Sequence, residues 1–498
     1  MRRLLVATLA TALTLAGTAM PAYAAPSPGG SGAGDSYYPD YGNSGYDVEH
    51  YDIRLRYTPS TDKLTGTTTI LATATQDLSR LNLDFVLDVA SIQVNNRPAT
   101  WTTEGDHELV VTPARTIADG GAITIVVQYS GVPSTKVAAG YTAWARTPDG
   151  ALAVGEPEIA WWWYPSNDHP SDKATFDVSV SVPNGLEAIS NGVMPRTPVQ
   201  ENLGYTRWSW RSLKPQATYL TFLTVGDYDV TTDTTADGSQ VYNAYSTLLP
   251  EDFRYAAEAS VERTAEITDW EASVFGPFPF EARGGVVAPP GTLGFALENQ
   301  TRPNYSAAFF RRGSNTYVIA HENAHQWFGD SVSVADWQHI WLNEGFASYA
   351  EWLWSEKNDE GTAQEIFDYL YASYPDDAAV WTTAPADPGV DQLFGDAVYD
   401  RGAMTLHQLR LAVGDDAFFE ILRTWVADHR YGNGTTEQFT ALAEKISGQD
   451  LSALFTAWLY TPSKPVLTTT AAKTATTTPA EPRSWATISE THTLLNEH

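Results

Sequence analysis

His321-Glu322-Asn323-Ala324-His325-Gln326-Trp327-Phe328-Gly329-Asp330, with Glu344 after an 18-residue gap from His325, is the stretch on which the reading of this chain turns. Within a helix, two histidines four residues apart project from one face about one turn from each other, so both can grip one ion. Ser314 is a fitting cap for such a helix over Asn315 to Phe328, with Gly329 just past its end. Glu344, at the start of a second expected helix from about Leu342 to Lys357, offers a third ligand. His321, His325 and Glu344 leave a fourth position open, which is what a catalytic zinc ion requires. Glu322 sits beside the metal without being needed as a ligand, and is free to carry a proton from water to a leaving group. Glu351, two turns after Glu344, faces the same way and can orient a ligand histidine from behind. Two buried histidines satisfied by backbone groups are the bland alternative, and the glutamates in register argue against it. A different metal pattern needs Gly three residues after the second His and another His three later; Phe328 and Ser331 stand there instead. His339 is left to structure or support, since the metal already has three ligands.

Working outward, residues 46–228 alternate with period two. Tyr51, Ile53, Leu55 and Tyr57 form one such run and Phe176, Val178, Val180 and Val182 another, with Asn95-Asn96, Asp119-Gly120-Gly121 and Pro183-Asn184-Gly185 as turns. From Tyr228 the period becomes helical, first over Glu258 to Val274, then at Ala397 to Val413 before Gly414, at Ala417 to His429, and after Thr435, whose spacing to Gln438 fits a capping box. This predicts an α+β multidomain chain, a β-rich domain at 46–228 followed by a mainly helical one at 229–464. Residues 25–45 read as a flexible leader and the Thr/Ala/Pro-rich 465–498 as a disordered tail. Met1-Arg2-Arg3, an apolar run from Leu4 to about Met20 and Ala22-Tyr23-Ala24 predict a signal peptide over 1–24, cleaved near Ala24, and a secreted protein not inserted in a membrane.

The composition narrows the function. Sixty acidic against 30 basic residues give a formal charge of −30, which repels phosphate backbones and argues against nucleic acid as a partner. There is no cysteine, so core burial and bound metal, not disulfides, must hold an exported chain together.

The runs HENAHQWFGD and WLNEGFASYAEWL resemble the zinc-binding core of the aminopeptidase N and leukotriene hydrolase family, the gluzincin aminopeptidases, whose spacing to the distal glutamate is also 18 residues. Phe295-Ala296-Leu297-Glu298-Asn299 is similar to the family's GxMEN motif. Glu156-Pro157-Glu158 stands where the family has Gln-x-Glu, ahead of Lys173-Ala174-Thr175-Phe176-Asp177, which resembles its KATFD stretch. Val398-Tyr399-Asp400-Arg401-Gly402-Ala403 resembles its VYxKGA. The resemblance implies a saddle-like β domain followed by a thermolysin-like zinc peptidase domain, with one zinc ion per chain. It gives Glu298 the substrate's α-amine, Glu158 the part of second amine anchor, the main chain at Ala296 a place along the peptide, and the Tyr399 hydroxyl the oxyanion.

Phe295 in place of Gly, Leu297 in place of Met and Glu156 in place of Gln depart from the pattern; the last adds acidity that favours cationic N-termini. The family usually continues into a helical roof beyond the point where this sequence stops, so an open cleft accepting longer peptides is expected. The reading is a secreted zinc aminopeptidase acting on peptides with a free N-terminus, with a zinc endopeptidase, an epoxide or ester hydrolase and a non-catalytic binding module as alternatives. In Trp161-Trp162-Trp163-Tyr164, an extended segment would turn one or two rings to substrate and the others to the core. Asp168 and His169 read as turn residues outside the site.

Overall fold

The structure, a computed structural model, describes residues 25–138, 140–467 and 479–496; the expected signal peptide and the threonine runs at 468–470 and 476–478 lie outside them. In the strand Tyr46–Thr58, the alternating Tyr51, Ile53, Leu55 and Tyr57 are at most 2% exposed, because only one face of the pleat meets the core. That strand lies parallel to Ala174–Pro183 and antiparallel to Lys63–Ala74. Among the described residues they belong to one eight-stranded sheet that continues through Ala122–Gly131 and Asp88–Val94 on one side and Tyr205–Gln216 on the other. Asn95 and Asn96 both take left-handed φ, +49° and +60°, as the tight hairpin between Asp88–Val94 and Arg97–Pro98 demands.

The mainly helical region past Tyr228 also holds strands. Strands Tyr228–Thr234, Gln240–Ser246, Ala282–Val287, Asn304–Tyr305 and Ala296–Leu297 form a second sheet, and helices begin only at Glu251. The helix expected over Glu258 to Val274 is two, Glu251–Val261 and Thr264–Phe275. The Thr264 hydroxyl donates to the Val261 carbonyl at 2.7 Å and closes the first of them. Asn315, not Ser314, caps the metal-site helix Thr316–Ala324, its side chain accepting from the N–H groups of Tyr317 and Val318. The long helix Trp341–Lys357 is buried along nearly its whole length. Ala397–Arg401 is a single π-helical turn leading into the helix Gly402–Val413. Asp415–Asp428 follows, and the capping box of Thr435 and Gln438 opens Thr436–Ser447. The fold is thus a β-rich N-terminal domain joined to a mainly helical domain that carries its own sheet. Among the described residues no helix is long and apolar enough to cross a membrane.

Both ends of the described chain differ from expectation. The leader is packed. Asp35 is 2% exposed and accepts from the N–H groups of Tyr37, Tyr38 and Trp337 at 2.7, 3.0 and 2.8 Å, and its aromatic neighbours fill space between the two domains. The tail, read as disordered, contains the helix Trp485–Leu495, which buries Ile488, His492, Leu494 and Leu495.

Candidate active site

The helix Thr316–Ala324 and the first turn of Trp341–Lys357 meet so that His321, His325 and Glu344 point ligand atoms into one space, all within 4.8 Å of one another. Glu344 Oε2 lies 3.3 Å from His321 Nε2 and 3.4 Å from His325 Nε2. The outer ring nitrogens are taken. His321 Nδ1 donates to Glu351 Oε1 at 2.7 Å and His325 Nδ1 to the Phe328 carbonyl at 3.0 Å. With Nδ1 carrying the proton on each ring, both Nε2 lone pairs face inward, the tautomer that a metal needs. Gly329, at φ +137°, permits this turn: a Cβ there would press on His325 Nδ1 at 3.3 Å. Burial works against ionisation of Glu344, yet the imidazoles of His325 and His321 hold its carboxyl well below the usual range. Two nitrogens and one carboxylate oxygen, buried and with outer partners in place, fit a zinc ion with room for a further ligand.

Further carboxylates surround this centre. Glu322, beside His321, is buried with Oε1 unpartnered; burial pushes its carboxyl up to about 8 against the pull of the two histidines. Glu298, its donor atoms within 4.8 Å of those of Glu322 and His325, accepts from the Tyr219 hydroxyl at 3.1 Å. Glu298 follows the short strand Ala296–Leu297, which pairs antiparallel with Asn304–Tyr305 at the end of the second sheet. Gln326 donates to the Glu298 carbonyl at 3.0 Å and accepts from Thr301 N–H at 2.7 Å, so the metal helix itself fixes this loop. Neither Tyr219 nor Gln326 was found in the sequence; Gln326, next to His325 on a buried helix, was the detectable one.

Glu156 and Glu158 sit in different surroundings, although both line one cavity. Burial first, then Glu298 and Glu344, raise the Glu156 carboxyl well above its usual range, and its Oε1 has no partner, so it stands among the carboxylates of the site. Glu158 instead accepts from the Tyr141 hydroxyl, with Tyr41 beside it. A cavity of about 610 Å³ adjoins both, lined among others by Tyr38, Tyr41, Tyr141 and Phe295. Trp161, Trp162, Trp163 and Tyr164 are all fully buried and none lines this cavity, because the segment coils into a short helical turn, Ala160–Trp162, and is not extended. His339 hydrogen-bonds Thr436 at 3.0 Å and His169 reaches Asp35 at 3.2 Å, while Asp168 N–H donates to Asp84; none of the three joins the centre.

Tyr399 lies beside it. Its ring is stacked on His321 at 5.9 Å and 16°, and burial together with Glu344 and Glu156 keeps the phenol protonated well beyond the ordinary range. The turn that carries it is clamped by Arg401, whose guanidinium donates to the carbonyls of Trp381, Thr383, Ala457, Trp458 and Thr461 at 2.6–3.1 Å. Glu351, behind His321, is held below its usual range by His492 and His321 although burial opposes this.

The arrangement has counterparts. Residues 47–220 match the Peptidase M1 N-terminal domain and residues 300–458 the Peptidase family M1 domain. Aminopeptidase M1 of Arabidopsis thaliana is 26% identical over 459 residues, covering 84% of this chain and 50% of its own. Aminopeptidase N of Lactococcus lactis is 25% identical over 454 residues, covering 84% and 51%; the chain spans about half the length of the curated relatives it matches. The crystal structure of an M1 zinc metallopeptidase from Deinococcus radiodurans superposes with a TM-score of 0.78 at 29% identity, covering 88% of this chain and 99% of that one. A two-domain M1 zinc metallopeptidase solved with bound L-arginine does so equally well, at 0.78 and 29%. With both domains matched and the zinc-ligand geometry in place, this chain belongs to peptidase family M1, whose solved members here are zinc enzymes.

Proposed function

We propose that this protein is a zinc aminopeptidase that removes single residues from the N-termini of peptides. The observation that carries the reading is the pair Glu156 and Glu298, a half-buried carboxylate whose ionisation feels Glu298 and Glu344 and a buried one beside Glu322 and His325. A substrate α-ammonium is the cation that such a pair lacks, and an internal peptide bond brings none.

His321, His325 and Glu344 would hold the zinc ion, which supplies Lewis-acid polarisation of a carbonyl and eases deprotonation of water. Glu156 and Glu298 hold the α-amine, and the main chain at Ala296 lines the peptide. Glu322 takes a proton from the attacking water and delivers it to the nitrogen of the departing peptide, so the N-terminal residue leaves as a free amino acid. The Tyr399 hydroxyl donates to the carbonyl oxygen as it gains charge. Glu351 keeps His321 in place. The first side chain enters the cavity of about 610 Å³, whose tyrosine and phenylalanine walls and Glu158 suit aromatic and cationic residues. Neighbours solved with L-arginine, L-tryptophan and a Tyr-Ser-Ala substrate support that choice.

Peptides with free and with N-acetylated termini test the reading: hydrolysis of the free form alone is expected, and equal rates on both overturn it. Secretion after cleavage near Ala24 is part of the same proposal, supported by the Arg-Arg, apolar and Ala-Tyr-Ala series at the start of the sequence. A mature protein recovered from the culture medium should begin at Ala25; recovery of the full-length chain in the cytosol sinks that part.

A further inference from the structure

The helix Trp485–Leu495 brings a side chain to the back of the metal centre from a part of the sequence outside both family matches. His492 Nε2 lies 2.8 Å from Glu351 Oε1 and His492 Nδ1 lies 2.9 Å from Asp400 Oδ1. Carboxylates accept, so both ring nitrogens donate. Glu351 Oε1 thereby receives two hydrogen bonds, from His492 and from the metal ligand His321 at 2.7 Å, while Oε2 has no partner. Rotating the carboxylate to offer Oε2 to His321 would break the bond to His492. Asp400 is the residue after Tyr399, and its other oxygen accepts from the Tyr374 hydroxyl at 2.5 Å. The His492 ring packs within 6.2 Å of His321 and 5.9 Å of Tyr399.

The helix has anchors of its own that do not involve His492. Thr491 Oγ1 accepts from Asn315 Nδ2 at 2.9 Å, Glu490 pairs with Arg311 and Arg312 at 3.4 and 3.1 Å, and Asn496 donates to Asp396 at 2.8 Å. Docking of the helix and the contacts of His492 are therefore separable.

We propose that His492 is a positioning residue of the metal centre, locking the Glu351 carboxylate that orients His321 and tying the turn that carries Tyr399 to the same point. It touches neither substrate nor metal. The inference rests on the aminopeptidase reading only for its catalytic part; its effect on metal affinity stands apart from that reading.

The test compares full-length wild type with His492→Ala, His492→Gln and the control Glu490→Gln. Zinc affinity is measured by competition with a chelator, folding by thermal midpoint, and kcat and KM on a fluorogenic aminoacyl substrate. His492→Ala is expected to bind zinc about tenfold or more weakly, and to lose kcat with KM little changed. His492→Gln, which keeps one donor, should fall between, and Glu490→Gln should match wild type in zinc affinity and kcat. A His492→Ala protein with wild-type zinc affinity and kcat overturns the proposal; if that variant does not fold, the same result for His492→Gln does so. If wild type fails to cleave free N-termini while His492→Ala still loses zinc affinity, the aminopeptidase reading falls and the positioning role stands.

Discussion

Gly345 and Gly402 touch backbone to backbone: a Cβ built on Gly345 would lie 2.9 Å from Gly402 Cα, and one on Gly402 would lie 2.8 Å from Gly345 Cα. One glycine follows the ligand Glu344 and the other opens the helix after Tyr399, so their contact sets how closely the phenol approaches the metal site. Gly402→Ala should force the two helices apart, costing about 1–3 kcal/mol of stability and, through a misplaced hydroxyl, up to about a hundredfold in kcat. Thermal unfolding and steady-state kinetics check this. Unchanged kcat in a destabilised variant would show that the contact serves packing alone.

Tyr399→Phe keeps the ring that stacks on His321 and removes only the donor. A loss of about 10²–10³ in kcat is expected, with KM nearly constant, since the hydroxyl acts on charge that develops only in the transition state. A comparable rise in KM would place the hydroxyl in ground-state binding.

Glu156→Gln and Glu158→Gln should separate the two roles proposed for these carboxylates. The first removes a charged partner of the α-amine and should lower kcat/KM for every free peptide by about 1.5–3 kcal/mol, tenfold or more. The second should leave amine recognition intact and shift the ranking of N-terminal residues away from arginine. A reversed pattern across a panel of aminoacyl substrates would return Glu158 to the amine.

Asp168 gives the fold a pH dependence independent of the metal. Burial, the largest influence, raises its carboxyl from 3.8 to about 7. The folded state thus retains a proton that the unfolded state has released. Stability contributed by this group is full below pH 3.8 and is lost as pH rises through 7. Asp168→Asn removes that dependence, so its stability advantage over wild type should widen by roughly 2 kcal/mol between pH 5 and pH 8. Denaturant melts at the two pH values measure it, and a constant difference would refute the assignment.

How far the sequence carried the structure follows from the physics of each signal. Tyr51 to Tyr57 alternate because one sheet face is buried, and that survives in any reading of period two. His321 and His325 share a helix face by geometry alone. The sheet of Gln240–Ser246 and Ala282–Val287 escaped because its strands are buried on both faces and interrupted by two helices, which leaves no alternation. The helix of Ile488, Thr491, His492 and Leu495 had the right spacing, but the threonine and alanine runs before it dominated the composition. Tyr37, Tyr38 and Tyr41 were the one sign that the leader is packed. The different surroundings of Glu156 and Glu158 were beyond reach, since the two differ only in which way a local turn points each side chain.

Lys173 closes the seam between the domains. Its ammonium, one residue ahead of the strand Ala174–Pro183, donates to the carbonyls of Asp330, Ser331 and Gly432 at 2.7, 3.2 and 3.2 Å, and burial lowers it to about 7. Asp35 bridges the same seam from the leader, through Trp337 and His169. The two halves are thus pinned across one seam from opposite sides, by a cation from the first domain and by an anion from the leader.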